Sequence, residues 1–307
     1  MMKNKSINKK VLILIFLIVG AFLCNVRLND DNAKLQPYHV RLSLEKLWNY
    51  SKGAGQKIAI IDSGLTAEAF DLFESQIIAI FNSFDQSTDV TDDSEMGHGT
   101  HLASLMIGNG FQEVYGISPE AELIIVKAFN GSDPSTNVDA LVRGILFAIE
   151  NDATIINLSF GGFVNIDEIA EVIAYATSLN IPVVASAGDY GQRDVLFPAN
   201  LTNVIGVGGI DANGLVWEFS NTGVGENFRM FGVDILGLTH NNQTATFSGT
   251  SQATAMTSGY IALLKSYSQT LNVDLSVRDI ALLLNEVYDN GNIPDVYDLP
   301  FQRIRNK

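Results

Sequence analysis

The sequence contains almost no cysteine, since Cys24 is the only one among 307 residues. The chain therefore cannot close an internal disulfide, and zinc or iron–sulfur sites built on several thiolates are excluded. Beyond Cys24, any nucleophile in the chain must be an oxygen or a nitrogen atom. Its stability must come from packing or from bound ions.

Basic residues are also scarce, with 19 Lys and Arg against 34 Asp and Glu and a formal net charge of −15. Nucleic acids and anionic membrane surfaces both attract clustered Lys and Arg, so neither is expected as a partner. Charged residues make up only 17% of the chain, whereas hydrophobic residues make up 47%. A chain of this composition can bury a large core and lacks the signature of disorder.

The N-terminal segment differs from the rest of the chain. Four lysines precede an apolar run over residues 11–24, an arrangement typical of an export signal. The run is short for a spanning helix, which needs about 20 residues, although Val26 and Leu28 extend it if the segment is kept. We therefore predict that residues 1–33 are a signal peptide or membrane anchor with a short spacer. Cleavage, lipidation at Cys24 and retention stay open, and the predicted localisation is secreted, or extracytoplasmic and membrane-anchored.

Short apolar runs recur along the rest of the chain, as in strands buried on both faces of a sheet. They cover residues 58–61, 77–81, 123–126, 155–158, 183–185 and 204–207. Helical patterns cover residues 138–149 and 166–179, and a helix over 44–50 is predicted to begin after Ser43 as its N-cap. Alternating strands and helices indicate an α/β fold with a mainly parallel sheet flanked by helices. We predict one such domain over residues 34–307.

Three segments carry side chains that can do chemistry together. Asp62 ends the first apolar run, His98 stands between two glycines ahead of an apolar helix, and Ser251 opens a helical pattern. Each residue alone fits a turn, a structural histidine or a helix cap. Together they fit nucleophilic catalysis, in which an imidazole takes the serine proton and a carboxylate orients the imidazole. The remaining histidines are predicted to be structural: His39, His101 and His240.

The segments DSG at Asp62, GHGTH at His98 and SGTS at Ser251 closely resemble the three signature segments of the subtilases, in the same chain order. The resemblance extends over residues 36–264. It implies a three-layer subtilisin-like fold and a monomeric serine endopeptidase that hydrolyses peptide bonds through an acyl-enzyme. It also implies that these three residues form the catalytic triad, that a peptide or protein is the substrate, and that the chemistry requires no cofactor.

The resemblance extends to the substrate cleft. Four residues match the subtilase segment whose backbone pairs with an extended peptide: Ser159, Phe160, Gly161 and Gly162. Residues 133–136 fall where the family places the opposing strand, but Pro134 has no N–H to donate, so we expect no pairing on that side. Leu196 matches the floor of the pocket for the residue before the scissile bond, and its branched side chain predicts a shallow pocket.

Asp189 departs from the family pattern, which places at this position an asparagine whose amide donates to the oxyanion. An ionised carboxylate cannot donate and repels the developing negative charge. The alternative to an enzyme is therefore a peptide-binding pseudoprotease weakened by Asp189, but the complete triad favours the enzyme.

A second departure concerns the prodomain that most secreted subtilases carry. Fewer than 15 residues separate Cys24 from Pro37, near the segment that resembles a mature N-terminus, so autoprocessing of the usual kind is not expected. Some lanthipeptide leader peptidases of the family also lack a prodomain. This likeness suggests a dedicated processing role.

Structural calcium is the ion that the resemblance implies, because Asp71 matches an aspartate that often binds it in the family. Calcium takes about six or more oxygen ligands. The loop over residues 109–115 looks shortened, and Lys34 stands near the expected place of an N-terminal amide ligand. Structural calcium at Asp71 and the absence of a calcium site therefore both stay open as alternatives, and no metal is expected in the chemistry.

Overall fold

The computed structural model describes residues 35–129, 136–289 and 296–306. The predicted signal or anchor segment, residues 1–33, lies outside this part of the chain. The domain boundary that we place between residues 33 and 34 stays a prediction. Every helix among the described residues is too short or too polar to cross a bilayer.

Seven parallel strands form the central sheet, in the order β2-β3-β1-β4-β5-β6-β7. They are β1 (Lys57–Asp62), β2 (Ile77–Asn82), β3 (Glu122–Lys127), β4 (Ile155–Leu158), β5 (Val183–Ser186), β6 (Ile205–Ile210) and β7 (Glu226–Phe231). A separate antiparallel pair consists of β8 (Ile235–Leu238) and β9 (Thr244–Phe247). The predicted apolar runs coincide with β1 to β6. The pattern misses β7 because Arg229 and Glu226, which pair at 2.7 Å, interrupt its apolar residues.

Nine helices lie within the described residues: α1 (Pro37–Arg41), α2 (Leu44–Trp48), α3 (Ala67–Phe73), α4 (His98–Ile107), α5 (Val138–Glu150), α6 (Asp167–Ser178), α7 (Thr250–Thr270), α8 (Val277–Asp289) and α9 (Leu299–Arg305). Ser43 does precede α2, but its backbone is left-handed, with a φ of 52°, and its side chain makes no capping hydrogen bond. The capping role predicted for Ser43 is therefore wrong. A left-handed N-cap residue aims its side chain away from the N–H groups of the first turn.

Two apolar cores cover the two faces of the sheet, and β1 contributes to both. Ile58 and Ile60 point into the core that also contains residues of α4, α7 and α8. Ala59 and Ile61 point into the core on the side of α5 and α6. Successive side chains of a strand face opposite sides of the sheet, so the apolar run of β1 is buried on both faces. The result is the three-layer α/β subtilisin-like fold that the sequence predicts.

The topology places a crevice at the carboxyl ends of β1 and β4. These strands are neighbours, yet the chain leaves β1 for β2 on one side of the sheet and leaves β4 for β5 on the other. Ligand sites in open parallel sheets form at such a switch point. Asp62 ends β1 and Ser159 follows β4, so the predicted site residues meet there.

A close approach of the backbone at β6 gives a test of this packing. A Cβ atom on Gly206 would overlap the carbonyl oxygen of Gly225 and lie 2.8 Å from that of Ala199, whereas one on Gly209 would meet no atom within 3.6 Å. We expect Gly206→Ala to lower the free energy of unfolding by about 1–3 kcal/mol. Gly209→Ala, in the same strand, should change it by about 0.5 kcal/mol or less. Urea denaturation of both variants measures the difference, and equal effects would contradict the strand packing described.

Candidate active site

Asp62 lies at the end of β1, with none of its surface exposed. Its Oδ1 accepts a hydrogen bond from the backbone N–H of Ser63 at 2.8 Å and lies 2.7 Å from Nδ1 of His98. An imidazole that donates its Nδ1 proton to a carboxylate keeps its Nε2 free to accept a proton. The pair therefore has the arrangement that a general base requires.

His98 is the first residue of α4, and its position depends on Gly97 just before it. Gly97 has a left-handed backbone with a φ of 64°, which glycine adopts without a steric penalty. Burial by itself lowers the pKa of His98, but the charge and hydrogen bond of Asp62 raise it, with further contributions from Asp92 and Asp189. The net result is a pKa above the ordinary 6.5, because the surrounding carboxylates stabilise the imidazolium.

Ser251 is the second residue of α7, on the helix that packs against α4. Its hydroxyl donates to the carbonyl oxygen of Ser159 at 2.9 Å, and the Ser159 hydroxyl donates to the carbonyl oxygen of Ser251 at 3.1 Å. Among the described contacts, none is a hydrogen bond between Ser251 and His98. Catalytic hydrogen bonds are often unformed without substrate, and rotation about the Cα–Cβ bond redirects the hydroxyl.

Asp189 lies in the loop after β5 and bonds to the residue before Ser251. Its Oδ1 accepts hydrogen bonds from the Thr250 backbone N–H at 2.8 Å and from the Thr250 hydroxyl at 2.6 Å. Burial raises the pKa of Asp189 to about 6, although the bonds from Thr250 and the charge of His98 act in the opposite direction. Since Oδ1 is engaged twice, a proton on this carboxyl belongs on Oδ2.

The predicted substrate-binding segment follows β4, and only part of it is available for a substrate. Gly162 exchanges both of its backbone hydrogen bonds with Phe197, at 2.8 and 3.0 Å. The ring of Phe160 is buried, with its centroid 5.1 Å from that of Phe129. The backbone of Gly162 is therefore already paired within the chain, and the Ser159 carbonyl is engaged by the Ser251 hydroxyl. Pairing of this segment with a peptide stays a prediction. On the opposing side, residues 133–135 lie outside the described residues, while the Thr136 hydroxyl donates to Ala128 at 2.6 Å.

Leu196 packs closely against two glycines, Gly161 and Gly188. A Cβ atom on Gly161 would come within 2.9 Å of Leu196 Cβ, and one on Gly188 would come within 2.7 Å of Leu196 Cγ. The side chain is only 3% exposed, so little of it lies open to solvent. Leu196 thus already fills the space beside both glycine backbones.

The calcium site predicted at Asp71 receives no further support. Asp71 lies exposed on α3, and the described residues include no group of three or more His, Cys, Asp or Glu side chains arranged to hold a metal ion. One carboxylate falls well short of the oxygen ligands that calcium needs. Structural calcium at this position stays a prediction.

Sequence reasoning misses Asp92, which lies six residues before His98 and is buried beside the first turn of α4. The signal for it is weak, because the two adjacent aspartates Asp92 and Asp93 look like part of an acidic loop.

The surroundings of the other three histidines fit the structural role predicted for them. Burial lowers the pKa of His101 to about 3 and that of His39 to about 4, and His240 bonds to the Ser94 carbonyl at 2.7 Å.

Comparison with known proteins gives one consistent result. A sequence profile of the Subtilase family matches residues 53–293. The chain is 34% identical to an intracellular serine protease of Paenibacillus polymyxa, over 81% of this chain and 78% of that protein. It is 33% identical to the major intracellular serine protease of Bacillus subtilis (strain 168), over 81% of this chain and 80% of that protein. The solved structure of the prenylagaramide maturation protease PagA superposes with a TM-score of 0.72 at 25% identity, covering 86% of this chain and 99% of that one.

These relatives correct one prediction from the sequence. We predicted a protein that is secreted, or extracytoplasmic and membrane-anchored. The comparison contradicts this localisation, because both sequence relatives are named intracellular serine proteases. The prediction depended only on the charge and hydropathy of residues 1–33, which form a local pattern. Membrane contact through this segment likewise has no support.

Proposed function

Because the chain belongs to the subtilase family of serine endopeptidases, we propose that Asp62, His98 and Ser251 act as its catalytic triad. The observation that carries this proposal is the hydrogen bond of 2.7 Å between His98 Nδ1 and the buried Asp62 carboxylate. It fixes the tautomer in which Nε2 accepts the proton of the nucleophile. The peptide-binding pseudoprotease is disfavoured, since the relatives are named as proteases.

The reaction uses these three side chains in two stages. Ser251 Oγ attacks the carbonyl carbon of the scissile bond while its proton passes to His98 Nε2, and the imidazolium then gives that proton to the leaving amine as the C–N bond breaks. Water attacks the resulting acyl-enzyme by the same route, with His98 again as base and then acid. Asp62 stays ionised throughout and stabilises the imidazolium.

Two groups stabilise the negative charge of the oxyanion in this mechanism. The N–H of Ser251 lies in the first turn of α7, where N–H groups have no partner within the helix and the helix dipole favours negative charge. Asp189 supplies the second donor only when protonated, through Oδ2. An ionised Asp189 instead repels the oxyanion, so the protonation state of this carboxyl sets the rate.

The substrate preference follows from the slot that Leu196 fills. The segments that hold Gly161 and Gly188 flank Ser251, because Ser159 bonds to Ser251 and Asp189 bonds to Thr250. The side chain of the residue before the scissile bond enters between these segments and meets Leu196. A small side chain at that position therefore fits, while a large aromatic one does not.

A dedicated processing role is the physiological function that we favour. The likeness to a maturation protease supports it, since that name describes cleavage of a particular precursor. A narrow pocket and a weakened oxyanion donor both suit a slow enzyme with few substrates. Digestion of many proteins would require a deeper pocket and a faster reaction.

The first prediction concerns the nucleophile. A fluorophosphonate probe should label Ser251 covalently, and Ser251→Ala and His98→Ala should both abolish the labelling, because the first removes the attacking oxygen and the second removes its base. Ser266→Ala, on the same helix with its hydroxyl bonded to Ala54, is the matched control and should still be labelled. Mass spectrometry of the labelled peptide locates the site. Labelling of folded Ser251→Ala would refute the assignment.

The second prediction concerns pH. His98 must be neutral, a state gained as the pH rises through a pKa above 6.5, whereas Asp189 must be protonated, a state lost as the pH rises through about 6. The profile should therefore be narrow and lie on the acid side of the family norm. At pH 8 only about one molecule in a hundred carries the Asp189 proton, given a pKa about two units lower.

Asp189→Asn restores a permanent amide donor. Loss of one oxyanion donor in a subtilisin lowers turnover by about 10²–10³, so this variant should raise kcat near pH 8 by roughly 10-fold or more. The KM should change little, because the contact forms mainly in the transition state. Asp194→Asn, in the same loop but exposed, is the control. Equal rates for wild type and Asp189→Asn from about pH 5 to 9 would mean that Asp189 does not face the oxyanion.

The third prediction concerns specificity. Wild type should cleave after small side chains, and Leu196→Ala should open the slot and raise kcat/KM for a large residue at that position by about 10-fold relative to alanine. Val195→Ala, at the adjacent buried position, should leave the preference unchanged. Profiling with a peptide library measures both. A wild-type profile dominated by Phe or Tyr would contradict the filled slot.

A further inference from the structure

Asp92 is a buried carboxylate that the proposed mechanism does not use. It lies in the loop between β2 and α4 and is 2% exposed. Its Oδ1 accepts from the backbone N–H and the hydroxyl of Ser94, at 3.1 and 2.6 Å. Its Oδ2 accepts from the backbone N–H and the hydroxyl of Thr100, both at 3.1 Å. Both oxygens of this buried carboxylate are therefore satisfied by hydrogen bonds within the protein.

These bonds connect Asp92 to His98. The Ser94 hydroxyl, which donates to Asp92, accepts the backbone N–H of His98 at 3.0 Å. The Thr100 hydroxyl, which also donates to Asp92, accepts the backbone N–H of Thr66 at 2.9 Å. Gly97 at the N-cap of α4 has no side chain to cap the helix. Asp92 and Ser94 therefore take over that capping for the turn that carries the imidazole.

Asp92 is one of three carboxylates whose charge raises the pKa of His98. Asp62 faces the imidazole from β1, Asp189 from the loop after β5, and Asp92 from the loop before α4. His101, on the same helix, stays neutral because burial lowers its pKa to about 3. Lys127, the cation against this loop, is paired with Asp93 at 2.5 Å.

We propose that Asp92 is a positioning residue for the general base: through Ser94 and Thr100 it holds the first turn of α4 so that His98 keeps Nδ1 on Asp62 and Nε2 toward Ser251. The negative charge of Asp92 also makes the imidazole more basic. This inference rests on the proposed triad. A cap that served only stability would affect unfolding but neither kcat nor the titration of His98.

The experiment compares Asp92→Asn with Asp89→Asn, which removes the same charge from an exposed position in the same loop whose carboxylate bonds only to Thr91 among the described contacts. Both are made in the Asp189→Asn background, so that the acid limb of kcat/KM reports His98 alone. Ser94→Ala is the third variant. It keeps the charge of Asp92 but breaks the link to the His98 N–H, and Ser94→Thr should restore that link.

Asp92→Asn should move the acid limb of the kcat/KM profile to lower pH by about half a unit. A carboxylate beyond direct contact shifts the pKa of the imidazole by less than the 1–3 units of an adjacent one. It should also lower kcat by roughly 10-fold, with KM within about twofold, because a misplaced base slows only the chemical step. Ser94→Ala should lower kcat several-fold and leave the limb in place. Asp89→Asn should change neither quantity.

The inference is overturned if folded Asp92→Asn matches Asp89→Asn in both kcat and the acid limb. If Asp92→Asn does not fold, as judged by circular dichroism, Ser94→Ala decides, and a kcat equal to that of the background overturns the inference. Failure of the triad itself looks different. In that case the background enzyme would show no acid limb, or Ser251→Ala would stay active, whatever the result at Asp92.

Discussion

The hydrogen bond between His98 and the Asp62 carboxylate is the contact on which the rest of the site depends. A carboxylate removed from water costs several kcal/mol unless hydrogen bonds satisfy it. Oδ1 of Asp62 is bonded to the Ser63 N–H and to the imidazole, whereas its buried Oδ2 has no partner among the described residues, so the bond to His98 is one of few that stabilise this charge. The bond forms only where the end of β1 meets the start of α4. Packing of α4 against α7 over one face of the sheet fixes that meeting point. The apolar core thus controls a distance that catalysis requires to within about half an ångström.

Burial acts in opposite directions on the two titrating groups of the site. It disfavours the charged form of each, so it lowers the pKa of His98 and raises that of Asp189. For His98 the neighbouring carboxylates outweigh burial, whereas for Asp189 burial outweighs the bonds from Thr250. Both pKa values are consequently raised, that of Asp189 to about 6 and that of His98 above its ordinary 6.5. An asparagine in place of Asp189 would remove this constraint, and we therefore propose that the aspartate gives this protease its own pH dependence.

The cleft is narrowed by contacts that the chain makes with itself. The backbone N–H and carbonyl of Gly162 are both hydrogen-bonded to Phe197, and Leu196 fills the space beside Gly161 and Gly188. Both contacts come from the same segment, which follows the Asp189 loop. We propose that this one stretch of chain limits both the length of peptide that can pair with the site and the size of the side chain that can enter it.

The fold class could be predicted from the sequence alone, because short apolar runs and the helical patterns between them are local features. The candidate triad of Asp62, His98 and Ser251 came from the resemblance of three short segments to the subtilases. The edge strand β7 escaped, since a charged pair interrupts its apolar pattern, and the export pattern of residues 1–33 led to a wrong localisation. The folded structure was needed to show that Asp92 bonds to the first turn of the His98 helix, that the backbone of Gly162 is already paired, and that Leu196 packs against Gly161 and Gly188. These contacts join loops and elements that are often distant in the chain, and their distances are set by how helices pack on the sheet, which no local pattern encodes.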